Sequence, residues 1–299
     1  MFFMKRLYLL LLLAGILLCG CSAPAEPAQI AATTLPVYEF TSRICEGTSL
    51  SVTRLVTEEV SCLHDYTLNV SQVKAVEAAE SIVISGAGLE EFLEDILTEN
   101  DIIDASAGIT LITPEEHHHH HEEEAEHSHE GHHHTQDPHV WLSPVHAKTM
   151  AENICIGLSE RYPKYQEDFQ RNLSALLEEL ETLHHYGLEQ LRELSCRDLI
   201  TFHDGFTYFA ACYDLHILEA VEEESGSEAS AKELIHLIEE VEHHSLPAIF
   251  TERSGSVSAS GIISRETGCK QYALDMAMAG DSYFNAMYHN IATIKEAMG

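Results

Sequence analysis

One long amphipathic stretch limits the folds that this chain of 299 residues can adopt. Between Pro163 and Leu194, apolar residues recur in steps of four and three, the spacing of one buried helix face. Those residues are Phe169, Leu173, Leu176, Leu180, Leu183, Leu191 and Leu194. As one helix the segment would extend about 48 Å at ~1.5 Å per residue, enough to tie two lobes together. Two shorter antiparallel helices are the alternative, because Gly187 and the pair His184-His185 weaken the later part.

Short β-like runs alternate with helical runs on both sides of this stretch, which favours parallel sheets flanked by helices. The predicted strands are Ile30–Thr34, Ser51–Val56, Ser81–Ser85, Leu199–Phe202, Ile217–Val221, Ala248–Thr251 and Gln271–Leu274. The other predicted helices are Ser71–Glu80, Leu89–Leu97, Val145–Leu158 and Ala231–His243. Ser71 is the expected N-cap of the first of these helices.

The segment 113–136 breaks the pattern, because it has no apolar face. Between His117 and His134, ten of eighteen residues are His and five are Glu. Such a composition predicts a surface loop. Its imidazoles are expected to bind zinc as auxiliary ligands, weakly and at several sites, because a loop loses conformational entropy when it closes around an ion. They are His117, His118, His119, His120, His121, His127, His129, His132, His133 and His134.

The net charge of the chain indicates that it binds cations rather than nucleic acid. Lys and Arg number 16 and Asp and Glu number 49, which gives a formal net charge of −33. Such a surface repels a phosphate backbone, so a nucleic-acid partner is excluded. It attracts cations, and the 21 His residues are the commonest type of ligand for transition metals.

The N-terminus carries the signals of an exported lipoprotein. Lys5 and Arg6 precede an apolar run over Leu7–Leu18, which is shorter than a membrane-spanning helix. The sequence Leu18-Cys19-Gly20-Cys21 is similar to a bacterial lipobox, in which Cys21 would be lipidated and become the first residue. An uncleaved anchor or an ordinary signal peptide is the alternative. Residues 1–20 are thus a predicted signal peptide, and residues 21–29 a tether.

Six further cysteines leave the disulfide pattern open. Outside the cytosol an even number suggests disulfides, but six residues allow 15 complete pairings. No CxxC motif is present, so a zinc site built on cysteines is not expected. The six are Cys45, Cys62, Cys155, Cys196, Cys212 and Cys269.

Three predicted strands of the second half are followed at once by polar residues, namely His203, Glu252 and Asp275. The carboxyl ends of parallel strands line the ligand crevice of an open sheet, so we expect these residues on one edge. His64 and His139, in the first half, are isolated histidines at junctions between elements. Taken alone, these spacings match no local metal motif.

Six short motifs occur along the chain in the order found in one family. They are His64-Asp65-Tyr66, Gly86-Ala87-Gly88-Leu89-Glu90, Asp137-Pro138-His139-Val140-Trp141-Leu142-Ser143-Pro144, Phe202-His203-Asp204-Gly205-Phe206-Thr207-Tyr208-Phe209, Glu266-Thr267-Gly268 and Leu274-Asp275. From about residue 30 to residue 299 the sequence resembles the zinc/manganese solute-binding proteins of ABC importers, most closely the zinc-specific, ZnuA-like branch. The resemblance implies two (β/α) lobes over 30–155 and 195–299, joined by a rigid helix over 156–194, with the metal in the cleft between them.

The resemblance also implies a ligand set. The family ligands fall on His64 and His139 of the first lobe and on His203 and Asp275 of the second. Three imidazoles suit Zn²⁺, whereas Mn²⁺ prefers oxygen ligands and is disfavoured here. Asp275 or water would take the fourth position. The family usually continues Leu-Asp with Pro-Leu, but here Met276 and Ala277 follow. Glu252 is a candidate for hydrogen bonding to a ligand histidine, although a loop carboxylate of no special role is the alternative.

The function implied is capture of Zn²⁺ outside the cytoplasm and delivery to an ABC permease and its ATPase, by a monomer without catalytic activity. A surface zinc scavenger or adhesin is the alternative reading. A zinc hydrolase is disfavoured, because the letters HExxH occur once, at His129–His133, within the low-complexity loop. The loop would either hand ions to the cleft or serve as neutral solvated chain; an expression tag is rejected because the run is internal and mixed with Glu.

Overall fold

The computed structural model describes residues 28–58, 60, 63, 66–94, 96–97, 102–113, 136–221, 229–253 and 258–299. Cys21, His64 and the ten histidines of the His-rich loop lie outside these residues, so the predictions made for them are not tested by the fold. Within the described ranges, no helix is both long enough and apolar enough to cross a membrane.

Two sheets of four parallel strands form the framework, with strand orders β2-β1-β3-β4 and β6-β5-β7-β8. The eight strands are β1 Ile30–Ala32, β2 Val52–Arg54, β3 Ser81–Ile84, β4 Ile102–Asp104, β5 Asp198–Thr201, β6 His216–Ala220, β7 Ala248–Glu252 and β8 Lys270–Leu274. The predicted α/β class with two parallel sheets is confirmed. Since β5, β7 and β8 are parallel neighbours, their carboxyl ends share the edge predicted to carry His203, Glu252 and Asp275.

Helices pack against both sheets. They are α1 Leu35–Ile44, α2 Val70–Ala78, α3 Pro144–Arg161, α4 Gln166–Gln190, α5 Thr207–Cys212, α6 Ala231–His244, α7 Ser258–Thr267 and α8 Tyr283–Met298. Shorter 3-10 turns occur at Glu91–Leu93, Val140–Leu142 and Pro163–Tyr165.

The single long helix is confirmed, and the alternative of two shorter helices is wrong. Helix α4 runs without a break over 25 residues and follows directly on the 3-10 turn at Pro163–Tyr165. It begins at Gln166 and ends at Gln190, four residues before the predicted end. Residues 156–161, which were expected in the linking helix, belong to α3 instead. Gly187 lies inside the helix because the ring of Tyr213 fills the space of a side chain; a Cβ there would lie 2.4 Å from two ring atoms. This glycine permits close packing rather than weakening the helix.

Two local predictions in the first lobe are wrong. The N-cap of α2 is Asn69, not Ser71: its Oδ1 accepts from the backbone nitrogens of Ser71 and Gln72 at 2.9 and 3.1 Å. In return, the backbone nitrogen of Asn69 donates to Oε1 of Gln72. The helix predicted over Leu89–Leu97 is only the turn at Glu91–Leu93 within the described residues.

The loop before that turn is tightly held, which limits the room for a longer helix. Gly86, Ala87 and Gly88 all have positive φ angles. The buried carboxylate of Glu90 then accepts from the backbone nitrogens of Ser85 and Gly86, at 2.7 and 3.0 Å. The periodic apolar residues thus follow a backbone that is fixed in a non-helical conformation.

One apolar core runs through both lobes and along α4. Direct hydrogen bonds also join the lobes: the Trp141 indole donates to the carbonyl of Met276 at 2.8 Å, and the Tyr283 hydroxyl donates to the carbonyl of Trp141 at 2.8 Å. The chain after β8 therefore packs directly against the segment that follows His139.

The cysteines within the described residues are free thiols. They are Cys45, Cys155, Cys196, Cys212 and Cys269. Cys62 lies outside the described residues. Burial, together with the neighbouring Cys155, raises the pKa of Cys45 to about 12, so this thiol is a protonated core side chain.

Candidate metal centre

His139 is held at the end of the first lobe by its own neighbour in sequence. It immediately precedes the 3-10 turn at Val140–Leu142 and is 5% exposed. Asp137 Oδ1 accepts from the backbone nitrogen of His139 at 2.9 Å and lies 2.8 Å from its Nδ1. Burial tends to raise the pKa of Asp137, but the hydrogen bonds and charge of His139 outweigh it and lower the value. The ring is thus fixed by an ionised carboxylate.

His203 reaches the same place from the second lobe. It lies two residues beyond β5, and its Nε2 atom is 3.4 Å from Nε2 of His139. The two ring planes meet at 81°, with centroids 5.1 Å apart. The structure therefore brings together two histidines that are 64 residues apart in sequence.

Carboxylates lie on the far side of both rings. Asp137 is hydrogen-bonded to Nδ1 of His139, and Glu252 Oε1 lies 3.1 Å from Nδ1 of His203. When His139 shares its Nδ1 proton with Asp137, its Nε2 keeps a lone pair, since a neutral imidazole has one donor and one acceptor. The arrangement fits a metal ligand oriented by a carboxylate, with Nε2 of His203 beside it.

Glu252 is the last residue of β7 and is 5% exposed. Burial, and then the charge of Asp275, raise its pKa to about 8. Its Oε1 atom is close to His203 but is not aligned for a hydrogen bond. The structure thus places a buried acid beside the ring of His203, and Glu252 was the residue predicted to support a ligand histidine.

Asp275 follows β8 directly but turns its carboxylate to other partners. Its Oδ1 accepts from the backbone nitrogen of Ala277 at 2.8 Å, and its Oδ2 accepts from Arg253 at 2.9 Å. Ala277 has a φ angle of 55°, so the chain turns sharply here. Within the described part of the chain, Asp275 does not complete a cluster of three ligand atoms within 4.8 Å with His139 and His203.

Gly205 keeps the two imidazoles close to the backbone of the second lobe. A Cβ at this position would lie 2.8 Å from Cδ2 of His203 and 3.1 Å from Nδ1 of His139. It would also lie 2.5 Å from the terminal carbon of Met276. No side chain larger than hydrogen fits unless the rings move apart.

Three supporting residues had no role in the sequence analysis, although each lies in a quoted motif. Asp137 orients His139, Gly205 leaves room for both rings, and the Tyr208 hydroxyl donates to the Asp137 carbonyl at 2.9 Å. The signal available in the sequence was their position two or five residues from a candidate histidine.

Part of the predicted site lies outside the described residues. His64 and its neighbour Asp65 belong there, but the flanking Leu63 is 1% exposed and Tyr66 donates to Glu58 at 2.8 Å. The histidines of the His-rich loop are also outside the described residues.

Comparison with known proteins gives the family of the chain. A family model described as zinc-uptake complex component A, periplasmic, matches residues 30–297. The zinc-binding lipoprotein AdcA of Streptococcus pneumoniae (strain ATCC BAA-255 / R6) is 30% identical over 310 residues, which cover 98% of this chain. The same alignment covers 61% of AdcA, so the chain spans less than two thirds of that relative's length.

Solved structures support the same fold. The crystal structure of ZnuA is 28% identical and has a TM-score of 0.74, over 90% of this chain and 99% of that one. The laminin-binding protein Lbp of Streptococcus pyogenes also has a TM-score of 0.74, over 91% of this chain and 100% of that one. It is 22% identical, so the likeness to Lbp shows the fold alone.

Proposed function

Since the chain belongs to the family of zinc-uptake complex component A, we propose that it captures Zn²⁺ outside the cytoplasm and delivers it to an ABC permease. The observation that carries this proposal is the pair of Nε2 atoms of His139 and His203, 3.4 Å apart at the meeting of two lobes. The family is described as part of an uptake complex and not as an enzyme. This supports the expectation of a binding protein without catalytic activity.

The proposed ligands of the transported ion are His64, His139, His203 and Asp275. His139 and His203 supply nitrogen from opposite lobes, and His64 is assigned from the sequence motif. Three imidazoles favour Zn²⁺ over Mn²⁺, because Mn²⁺ prefers oxygen ligands and binds most weakly in the divalent series. The relative AdcA is named a zinc-binding lipoprotein, which agrees with this choice.

The fourth position belongs to Asp275 or to water. For Asp275 to bind, its carboxylate must exchange the guanidinium of Arg253, 2.9 Å away, for the ion. Arg253 is 63% exposed at its side chain, so it can move into solvent at little cost. Once ionised and aligned with Nδ1 of His203, 3.1 Å away, Glu252 would hold that ring in the tautomer that leaves Nε2 free.

The chain is proposed to be a monomer tethered to the outer face of a membrane through lipid on Cys21. The lipobox and the lipoprotein named among its relatives support the anchor. The proposed organisation has a signal peptide over 1–20, a tether over 21–29, lobes over 30–155 and 195–299, and a linking segment over 156–194. The loop 113–136 is proposed to gather ions weakly before they reach the cleft.

The capture step can be tested by competition between the chain lacking residues 1–20 and a calibrated Zn²⁺ chelator. One tight Zn²⁺ site is expected, together with weaker sites from the loop. His139→Ala and His203→Ala are expected to abolish the tight site. The matched control is His236→Ala, because His236 lies on α6 and faces Glu219 at 3.2 Å, away from the cleft.

Retention of the tight site in both cleft variants would contradict the proposed ligands and leave a zinc scavenger based on the loop. Delivery is tested separately, by zinc uptake in a strain that lacks the gene and is complemented with each variant. Tight binding without any effect of the deletion on uptake would favour the scavenger or adhesin reading.

A further inference from the structure

We propose a second binding site for a divalent transition metal, formed by Glu240, His243 and His244 at the C-terminal end of helix α6. One ligand atom from each of these residues lies within 4.8 Å of the others. The site would be exposed to solvent and would take Zn²⁺ or another ion that accepts imidazole and carboxylate, such as Cu²⁺ or Ni²⁺. It is independent of the function proposed for the cleft.

Helical spacing is what brings the three side chains together. Residues three and four positions apart lie on one face of a helix, so His243 and His244 both neighbour Glu240. A Glu-x-x-His pair at this spacing supplies metal ligands in helical bundles. Here the Nε2 atom of His244 lies 3.5 Å from Glu240 Oε2, and the centroids of the two imidazoles are 4.8 Å apart.

A further carboxylate lies behind one of the proposed ligands. Asp198 Oδ2 is 3.6 Å from Nδ1 of His244, on the side of the ring opposite to Glu240. The other oxygen of Asp198 is 3.3 Å from Nδ1 of His216. This order of carboxylate, imidazole and ligand atom resembles the way in which proteins orient metal-binding histidines. Small side-chain rotations would bring Asp198 into a hydrogen bond with His244.

The end of the helix also favours a cation. The last carbonyls of a helix carry partial negative charge, and α6 ends at His244, directly before Ser245 with its φ angle of 51°. Arg197 is a nearby cation, but its guanidinium is occupied by backbone carbonyls, including those of Leu191 and Tyr213 at 2.9 and 3.1 Å. The strongly negative net charge of the chain raises the local concentration of cations.

This site lies at the opposite edge of the second sheet from the cleft. Asp198 is the first residue of β5, whereas His203 follows the end of the same strand. A metal bound at Glu240, His243 and His244 therefore shares no ligand with the pair His139 and His203. Because its ligands are partly exposed, water would complete the coordination, and binding is expected to be weaker than in the buried cleft.

The test is an NMR titration of the chain lacking residues 1–20 with Zn²⁺ alone, read from the side-chain ¹⁵N resonances of individual histidines. The first equivalent is expected to shift His139 and His203. Further Zn²⁺ is expected to shift His243 and His244 together, with the exposed His289 on α8 as the internal control. If His243 and His244 move no more than His289, the second site does not exist.

Two variants separate binding at this site from general effects of zinc. Glu240→Ala is expected to weaken the response of both histidines, and Asp198→Asn is expected to weaken it about tenfold through the orientation of His244. His289→Ala, an exposed histidine on α8, is the control and should leave the response unchanged. An undiminished response of His243 and His244 in Glu240→Ala would overturn the proposed ligand set, whatever happens at His139.

Discussion

Gly205→Ala gives the sharpest test of how the proposed metal centre is built. The added methyl would lie 2.8 Å from Cδ2 of His203, and ordinary contacts begin at 3.4 Å. The ring must therefore withdraw by about 0.6 Å unless the backbone moves instead, and metal–ligand distances tolerate only about 0.2 Å. His139 Nδ1, at 3.1 Å from the methyl, is pinned to Asp137 and cannot compensate freely. The terminal carbon of Met276 is flexible and can move.

We expect Gly205→Ala to weaken the tight Zn²⁺ site about 10–100-fold, the loss seen when the orientation of a ligand is disturbed. Overpacking should reduce the free energy of unfolding by about 1–3 kcal/mol. Competition with a chelator measures the first effect, and denaturation in urea measures the second.

The matched control for this variant is Gly261→Ala. Gly261 lies in α7, and a Cβ there meets nothing closer than Arg265 Nη1 at 3.8 Å. Zinc affinity should be unchanged, while the free energy of unfolding should rise by up to about 1 kcal/mol, because alanine favours the helix. If Gly205→Ala binds Zn²⁺ as tightly as this control, then the two rings are not the ligands or their separation does not matter for binding.

Three further predictions concern residues that support the site and the fold. Asp137→Asn should weaken the tight zinc site about 10–100-fold in the chelator assay, because the ring of His139 loses its charged partner. The control Asp168→Asn, which changes a partly exposed carboxylate of α4 that pairs with Arg171, should not. Gly187→Ala should lower the free energy of unfolding by about 1–3 kcal/mol, because the methyl meets the Tyr213 ring at 2.4 Å. A variant that resists urea as well as the parent protein does would contradict this packing. Burial raises the pKa of Glu90 from 4.5 to about 7, so the folded state binds a proton on this carboxyl more tightly than the unfolded state does. The stability that comes from this proton is therefore lost as the pH rises through about 7. The free energy of unfolding of the parent minus that of Glu90→Gln should fall by about 3 kcal/mol between pH 4.5 and 8; a difference that is independent of pH would refute it.

The framework was predictable because its signals are local. Alternating apolar residues marked seven of the eight strands, and the stripe from Phe169 to Leu183 marked α4. Strand β4 was missed, since its two apolar residues, Ile102 and Ile103, are adjacent and give no alternation. The wrong helix at Leu89–Leu97 has the opposite cause: the apolar spacing is helical, but the positive φ angles at Gly86–Gly88 and the bonds to Glu90 set another conformation.

The candidate site was harder to predict from spacing alone. The shared edge of β5, β7 and β8 followed from the expectation of a parallel sheet, and this placed His203, Glu252 and Asp275 at one edge. The approach of His139 depends on contacts between the lobes, such as Trp141 with Met276, which no local pattern records. The direction of the Asp275 carboxylate could not be predicted either, because the turn at Ala277 and the contact with Arg253 set it.

The contacts between the lobes lie next to the proposed ligands, and this bears on release of the ion. Trp141, two residues from His139, bonds to Met276, which is adjacent to Asp275. A hinge that separated the lobes would break this buried bond and the one from Tyr283 to Trp141, and burial makes unpaired groups costly. The second lobe offers an easier movement, since Asp275 has an exposed partner in Arg253 and His203 lies beyond its strand. We therefore expect the ion to leave through rearrangement around His203 and Asp275, while His139 stays fixed by Asp137.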